Sequence, residues 1–258
     1  MTSDGPWTVL RRFTDARIGL GRAGSALPIR EVLRFSMAHA QARDAVTRPL
    51  DWAPIEEALA ALKLKTVRIE SAAGDRDTYL RRPDLGRRLS PEARGCLAAM
   101  AGPSPDLLIL VADGLSSTGV SANAAAVIAA FLPLARKSGW NLGPILLADQ
   151  ARVALGDDAS ELLAARAVLV LIGERPGLSS PDSLGAYMTW GPRAGRKDGE
   201  RNCISNIRRG GLSAEEAAFR AHWLLREAFR RQITGVHLKD ESNHQLEGSK
   251  GVHALTKD

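Results

Sequence analysis

Two clusters of polar side chains stand directly after runs of apolar residues. Glu174 and Arg175, in Gly173-Glu174-Arg175-Pro176-Gly177-Leu178, follow Ala167 to Ile172, and Asp113, Ser116 and Ser117 follow Asp106 to Ala112. A carboxylate, a guanidinium and hydroxyls at the ends of buried strands occupy the place where open α/β sheets hold their ligands. Each cluster also has a plainer reading. Glu174 and Arg175 could form an internal ion pair beside a Pro-Gly turn, and Asp113 with the serines could cap the following helix. Ser116 is not read as a hydrolase nucleophile, because G-x-S-x-G needs glycine where Thr118 stands.

Cys203 lies in Arg201-Asn202-Cys203-Ile204-Ser205-Asn206-Ile207, with polar groups between two isoleucines. A lone cysteine is more often a small buried hydrophobe than a reactive thiol. No Cys/His spacing suggests a metal site. Gly19-Leu20-Gly21-Arg22-Ala23-Gly24 matches G-x-G-x-x-G letter for letter. That fingerprint works only where a buried strand precedes it and a helix opens within it. Here Arg11 to Arg17 precede it and the next helix starts only at Pro28, so a dinucleotide site is not expected.

The elements that must position these groups follow from periodicity. Leu33, Met37, Ala40 and Ala45 recur at helical spacing between Pro28 and Val46, and a second helix is predicted over Pro54 to Leu62. Thr66 to Ile69 reads as a strand and, after a polar turn, Pro91 to Met100 as a helix. Then strands at Asp106–Ala112, Pro144–Ala148 and Ala167–Ile172 alternate with helices at Val120–Lys137 and Asp158–Ala165. Such alternation predicts an α/β fold with an open, mostly parallel, Rossmann-like sheet and right-handed crossovers. Glu174 to Ser183 reads as a loop and Tyr187 to Trp190 as a short strand. Ser213 to Arg231 is a final helix, with Ser213 and Glu216 spaced as a capping box. The expected organisation is a helical N-terminal domain over 1–62, an α/β domain over 63–240, and a polar, disordered tail over 241–258.

Composition narrows the function classes. Of 258 residues, 45% are hydrophobic and 25% charged, the mixture of a globular protein with a sizeable core. A membrane span needs roughly 20 consecutive apolar residues, and the densest run is closed by Gly173, Glu174 and Arg175, so no membrane role is expected. The net charge of +6 is concentrated at the front, where residues 1–100 hold 17 Lys and Arg against 12 Asp and Glu. With 5% aromatics and no recognition module, nucleic acid is not an expected partner. Two cysteines build no disulfide framework and no signal-peptide core follows Met1, which points to the cytoplasm.

Six blocks in order are more specific than any one. They are Ala16-Arg17-Ile18-Gly19-Leu20-Gly21-Arg22-Ala23-Gly24, Ala38 to Val46, Tyr79-Leu80-Arg81-Arg82-Pro83-Asp84-Leu85-Gly86-Arg87-Arg88-Leu89, Asp113 to Ser116, Gly173 to Leu178, and Cys203 to Ile207. Together, from about Thr14 to Gly235, they resemble the small subunit (light chain) of adenosylcobalamin-dependent ethanolamine ammonia-lyase. The resemblance implies a Rossmann-like α/β domain behind a small helical one. It also implies a large-subunit partner, a TIM barrel carrying the catalytic residues, in a hetero-oligomer that converts ethanolamine to acetaldehyde and ammonia. The hard chemistry then belongs to the cofactor, and this chain, inactive alone, supplies binding and seclusion.

By resemblance, Val153, Glu174 and Cys203 contribute to the cobalamin site, with Asp113 to Ser117 a weaker addition. All three follow the ends of predicted strands. A carboxylate suits corrin amides, and Val and Cys suit its apolar face. Cobalamin is expected to keep its benzimidazole, since no histidine here sits in D-x-H-x-x-G. A protein-shelled bacterial microcompartment is the alternative location, with Trp7, Val9, Leu10 and Phe13 suited to a short targeting helix or to an arm on the partner. The rival class is a free-standing α/β enzyme or nucleotide-binding module.

Overall fold

The computed structural model describes residues 6–100 and 102–243. Most of the tail predicted as disordered, residues 244–258, lies outside the described residues. Helix α1 (Pro6–Leu10) leads through a loop to α2 (Ile29–Thr47) and α3 (Ala53–Ala61). Strand β1 (Thr66–Glu70), α4 (Arg76–Arg81) and α5 (Pro91–Ala98) come next, then β2 (Leu107–Ala112), α6 (Ser117–Lys137), β3 (Leu142–Asp149), α7 (Leu155–Leu162) and β4 (Ala167–Gly173). Strands β5 (Leu184–Trp190) and β6 (Asn202–Ile207) and helix α8 (Ala214–Arg231) complete the chain.

The six strands form one sheet in the order β1-β3-β2-β4-β5-β6. Period-2 alternation divides the strand residues between two cores. Ile109, Val111, Ile145, Leu147 and Leu169 face α3, α6 and α8, whereas Leu110, Leu146, Val168 and Val170 face α5 and α7. Both faces are covered, which is why β2 and β4 read as unbroken apolar runs. Helix α6 alone among the described residues is long and apolar enough to cross a membrane. Here Val127, Ile128 and Phe131 of α6 are buried in the larger core.

Right-handed crossovers explain where the chain reverses. From β2 through α6 the chain moves to β3 on one side, and from β3 through α7 it returns past β2 to β4 on the other. Travelling in opposite directions places α6 and α7 on opposite faces. The reversal lies between β2 and β4, and their carboxyl ends flank the crevice where such sheets bind ligands.

The α/β expectation holds, but the sheet is mixed rather than the mostly parallel, Rossmann-like form expected. Strands β1, β3, β2 and β4 pair in parallel, whereas β5 pairs antiparallel with both β4 and β6. The segment between β4 and β5, residues 174–183, holds no helix, and a parallel crossover takes a dozen or more residues. Strand β6 carries no period-2 signal in the sequence because its inward residues, Ile204 and Ile207, are three apart; Asn206 has φ 62° and the pairing with β5 shifts register. Consequently Cys203 lies inside a strand, not after one. Helix α4 stands where the sequence predicts a polar turn, and Asp75 caps it by accepting from the Thr78 N–H at 2.9 Å. Helix α7 begins at Leu155, ahead of the predicted Asp158, because Asp157 and Asp158 are buried partners of Arg201 and Arg94 and not surface caps.

Candidate functional site

The floor of the crevice is backbone against backbone. Leu115 N–H donates to the Gly173 carbonyl at 2.9 Å. A Cβ on Gly173 would stand 2.2 Å from the Ser116 carbonyl oxygen, and one on Gly114, where φ is +59°, would stand 2.3 Å from the Gly173 carbonyl oxygen. Only glycine permits this approach at either position. Ser116 then caps α6, accepting from the Gly119 N–H at 2.9 Å while its own hydroxyl donates to the Pro181 carbonyl at 2.6 Å.

Asp113, at the end of β2, does not cap that helix. It is buried, accepting from the N–H of Gly114 at 2.8 Å and of Ala151 at 3.1 Å, and it meets Arg76 at 3.2 Å. Burial outweighs those stabilising partners and pushes its carboxyl up to about 6. Arg76 also donates to the Val46 carbonyl at 2.7 Å, joining the end of α2 to the crevice floor.

Above the floor is a cleft of about 440 Å³ lined by Leu115, Arg152, Val153, Glu174, Arg175 and Tyr187, with Tyr79 behind. Arg152 lies 4.4 Å from the Tyr79 ring centre, a cation–π contact, and its Nε is buried with no hydrogen-bond partner among the described residues. Burial pushes the Tyr79 phenol up, and its hydroxyl donates to the Ala151 carbonyl at 3.1 Å.

Glu174 makes no ion pair with Arg175. Its Oε2 accepts from the Ser183 hydroxyl and from the Asn206 N–H at 3.1 Å, tying the loop after β4 to β6. Its Oε1 takes no hydrogen bond among the described residues. Arg175 is exposed and forms no ion pair there either.

The structure therefore brings Val153 and Glu174 to one cleft and puts Cys203 one strand away. Cys203 is opposite Tyr187 in the β5–β6 register and is exposed, its sulfur 3.4 Å from the Ser205 hydroxyl. Burial, and then the Cys203 thiol, push the Tyr187 phenol up. Sequence reasoning missed Tyr79, Arg152 and Tyr187; the only signal was Tyr79 as the first residue of one of the six recurring blocks. Gly19, Gly21 and Gly24 all have positive φ in an exposed loop with no strand before it, and α2 opens only at Ile29.

Comparison with known proteins matches residues 4–239 to the family described as "Ethanolamine ammonia-lyase light chain". A relative from Xanthomonas campestris pv. campestris, named ethanolamine ammonia-lyase small subunit, is 54% identical over 246 residues, covering 94% of this chain and 90% of its own. The protein of the same name from Rhodopseudomonas palustris is 52% identical over 247 residues, 96% and 94% of the two chains. A third, from Azotobacter vinelandii, is 52% identical over 243 residues, 93% and 90%. The six blocks, the match over nearly the whole length and these relatives agree: the chain belongs to the ethanolamine ammonia-lyase light chain family.

Proposed function

We propose that this chain is the small subunit of an ethanolamine ammonia-lyase and closes over adenosylcobalamin at its interface with a TIM-barrel large subunit. Within that hetero-oligomer it is a binding and secluding subunit, inactive alone, and ethanolamine is held and processed on the large subunit. We place it in the cytoplasm, with a bacterial microcompartment as the alternative location, and take residues 1–62 as its helical N-terminal part.

The observation that carries this reading is the cleft at the carboxyl ends of β2 and β4, where Val153 and Glu174 meet unpartnered polar atoms. A corrinoid is far larger than about 440 Å³, so only one edge of it fits here and a second chain must cover the rest. The residues suit such an edge. The buried Arg152 Nε–H can donate to an amide carbonyl, the free Oε1 of Glu174 can accept from an amide N–H, and Val153 offers an apolar wall. Cys203, exposed and paired with Tyr187 across β5 and β6, would contribute from the neighbouring strand. When bound, the cofactor would supply radical initiation through cobalt–carbon homolysis. The chain's own residues orient it and exclude water.

The test is reconstitution. The purified chain with adenosylcobalamin should release no acetaldehyde from ethanolamine, and adding the large subunit should produce turnover and a cobalamin absorption spectrum that co-purifies with both chains. Turnover by the chain alone would refute the subunit reading and favour a free-standing enzyme.

A further inference from the structure

Helix α2 is apolar on two sides, and only one of them meets the rest of the chain. Its inner side carries the buried Ala38 and Ala45. Its outer side carries Ile29, Val32, Leu33 and Met37, which are 71%, 42%, 62% and 63% exposed. Their spacing of three, four and eight residues from Ile29 is that of one continuous helical stripe. A stripe of large aliphatic side chains opposite a stripe of alanines is the pattern of a helix held between two bodies, the smaller residues facing the one it grew from. Recognition of this kind reads as a helix laid in a groove, with anchors at such positions.

We infer that the outer face of α2 docks into an apolar groove with an acidic rim on the large subunit; this rests on the subunit reading above and assigns the surface through which it operates. Charge identifies the occupant. Between residues 6 and 48 stand eight arginines against Asp15, Glu31 and Asp44, so nearly all of the chain's net +6 is here. Arg30 and Arg34 share Glu31, yet the excess of five positive charges remains: a second copy would set it against itself, whereas an acidic partner would be attracted to it. Position points the same way. Arg17 donates to the Leu178 carbonyl at 3.1 Å, and Asp15 lies 3.5 Å from Arg208, so the segment before α2 is fastened to the loop that borders the cleft. A body closing over the cleft therefore lies against the segment that leads into α2.

The experiment compares the full-length chain with Leu33→Asp/Met37→Asp, using Val236→Asp, exposed in the turn after α8, as control. Binding to the purified large subunit is measured by sedimentation at two salt concentrations, without cofactor or substrate. The double variant should keep the wild-type melting temperature and bind roughly a hundredfold more weakly, while the control stays within about twofold. Added salt should weaken the wild-type complex. Amide exchange over residues 29–41 should slow in the wild-type complex, a readout independent of any variant. Unchanged affinity of the folded double variant, with no protection of α2, would overturn the docking surface and leave the subunit reading standing. Wild-type self-association abolished by the double variant would reassign the face to a second copy, and α2-dependent binding to anionic phosphatidylserine vesicles in place of the large subunit would reassign it to a lipid surface. Failure of the wild-type chain to bind the large subunit at all would sink both readings.

Discussion

Replacing Glu174 with glutamine separates its two oxygens. Oε2 accepts from the Ser183 hydroxyl and the Asn206 N–H, whereas Oε1 takes no hydrogen bond among the described residues, and Glu174 lines the cleft. Glutamine can keep its carbonyl toward Ser183 and Asn206 and must then present an NH₂ where Oε1 stood. Two charge-assisted bonds of ~1.5–3 kcal/mol become neutral ones of ~0.5–1.5 kcal/mol, a stability loss of about 1–3 kcal/mol. At the Oε1 position a donor would oppose a cofactor amide N–H, costing roughly tenfold to a hundredfold in affinity. Ser183→Ala is the matched comparison: it removes one Oε2 bond, lowers stability by about 1.5–3 kcal/mol, and leaves Oε1 alone. Urea denaturation of the chain and cobalamin titration of the two-subunit complex read the two quantities separately. Glu174→Gln should lower both and Ser183→Ala only the first. Equal cobalamin affinity in wild type and Glu174→Gln, beside a clear loss of stability, would refute the cofactor role and leave Glu174 as a tie between a loop and β6.

Three further outcomes are expected. Gly173→Ala should destabilise by about 2–4 kcal/mol, since both loops of the floor must part, while Gly95→Ala in α5, with open space around it, should gain up to about 1 kcal/mol; urea midpoints for the pair check this, and a mild Gly173→Ala would mean the floor can yield. Because folding raises the Asp113 carboxyl to about 6 from an ordinary ~3.9, its contribution is full below about pH 4 and lost as pH rises through 6, a change of roughly 3 kcal/mol. The stability advantage of wild type over Asp113→Asn should shrink accordingly between about pH 4 and 7, and a constant difference would show that Arg76 and the backbone N–H groups offset burial. Finally, electron paramagnetic resonance of the complex carrying nitrogen-15 histidine in this chain alone should show no histidine coupling at cobalt. Among the described histidines, His222 is engaged with the Ser138 hydroxyl at 2.8 Å and His39 lies edge-on to Phe35, and coupling from any label would overturn the benzimidazole-on reading.

What could be read from the residues was what short-range physics decides. The apolar runs of β2 and β4, the Asp113-Gly114 turn and the Ser213 cap on α8, which accepts from the Glu216 N–H at 3.2 Å, depend on neighbours a few positions apart. Val153 and Glu174 came to the cleft by family resemblance, and their meeting depends on a chain reversal that periodicity only hints at. Tyr79 and Arg152 were not legible because each is defined by a partner some seventy residues away, as the Tyr79 bond to Ala151 shows with a separation of 72. The second half of β5 was legible at Tyr187 to Trp190, whereas β6 escaped because Asn206 breaks the two-residue rhythm by which a strand announces itself.

Arg76 links helix and floor through a single guanidinium, held by Val46 at the end of α2 and by Asp113 at the end of β2. If α2 carries the partner and the floor carries the cofactor, this side chain is the direct physical link through which one site can bias the other, and any such coupling is reciprocal. Whatever factor the large subunit adds to cobalamin affinity, cobalamin must return to subunit affinity. Assembly and cofactor loading would then be cooperative to the extent that Arg76 holds its two partners differently in the free and the assembled chain.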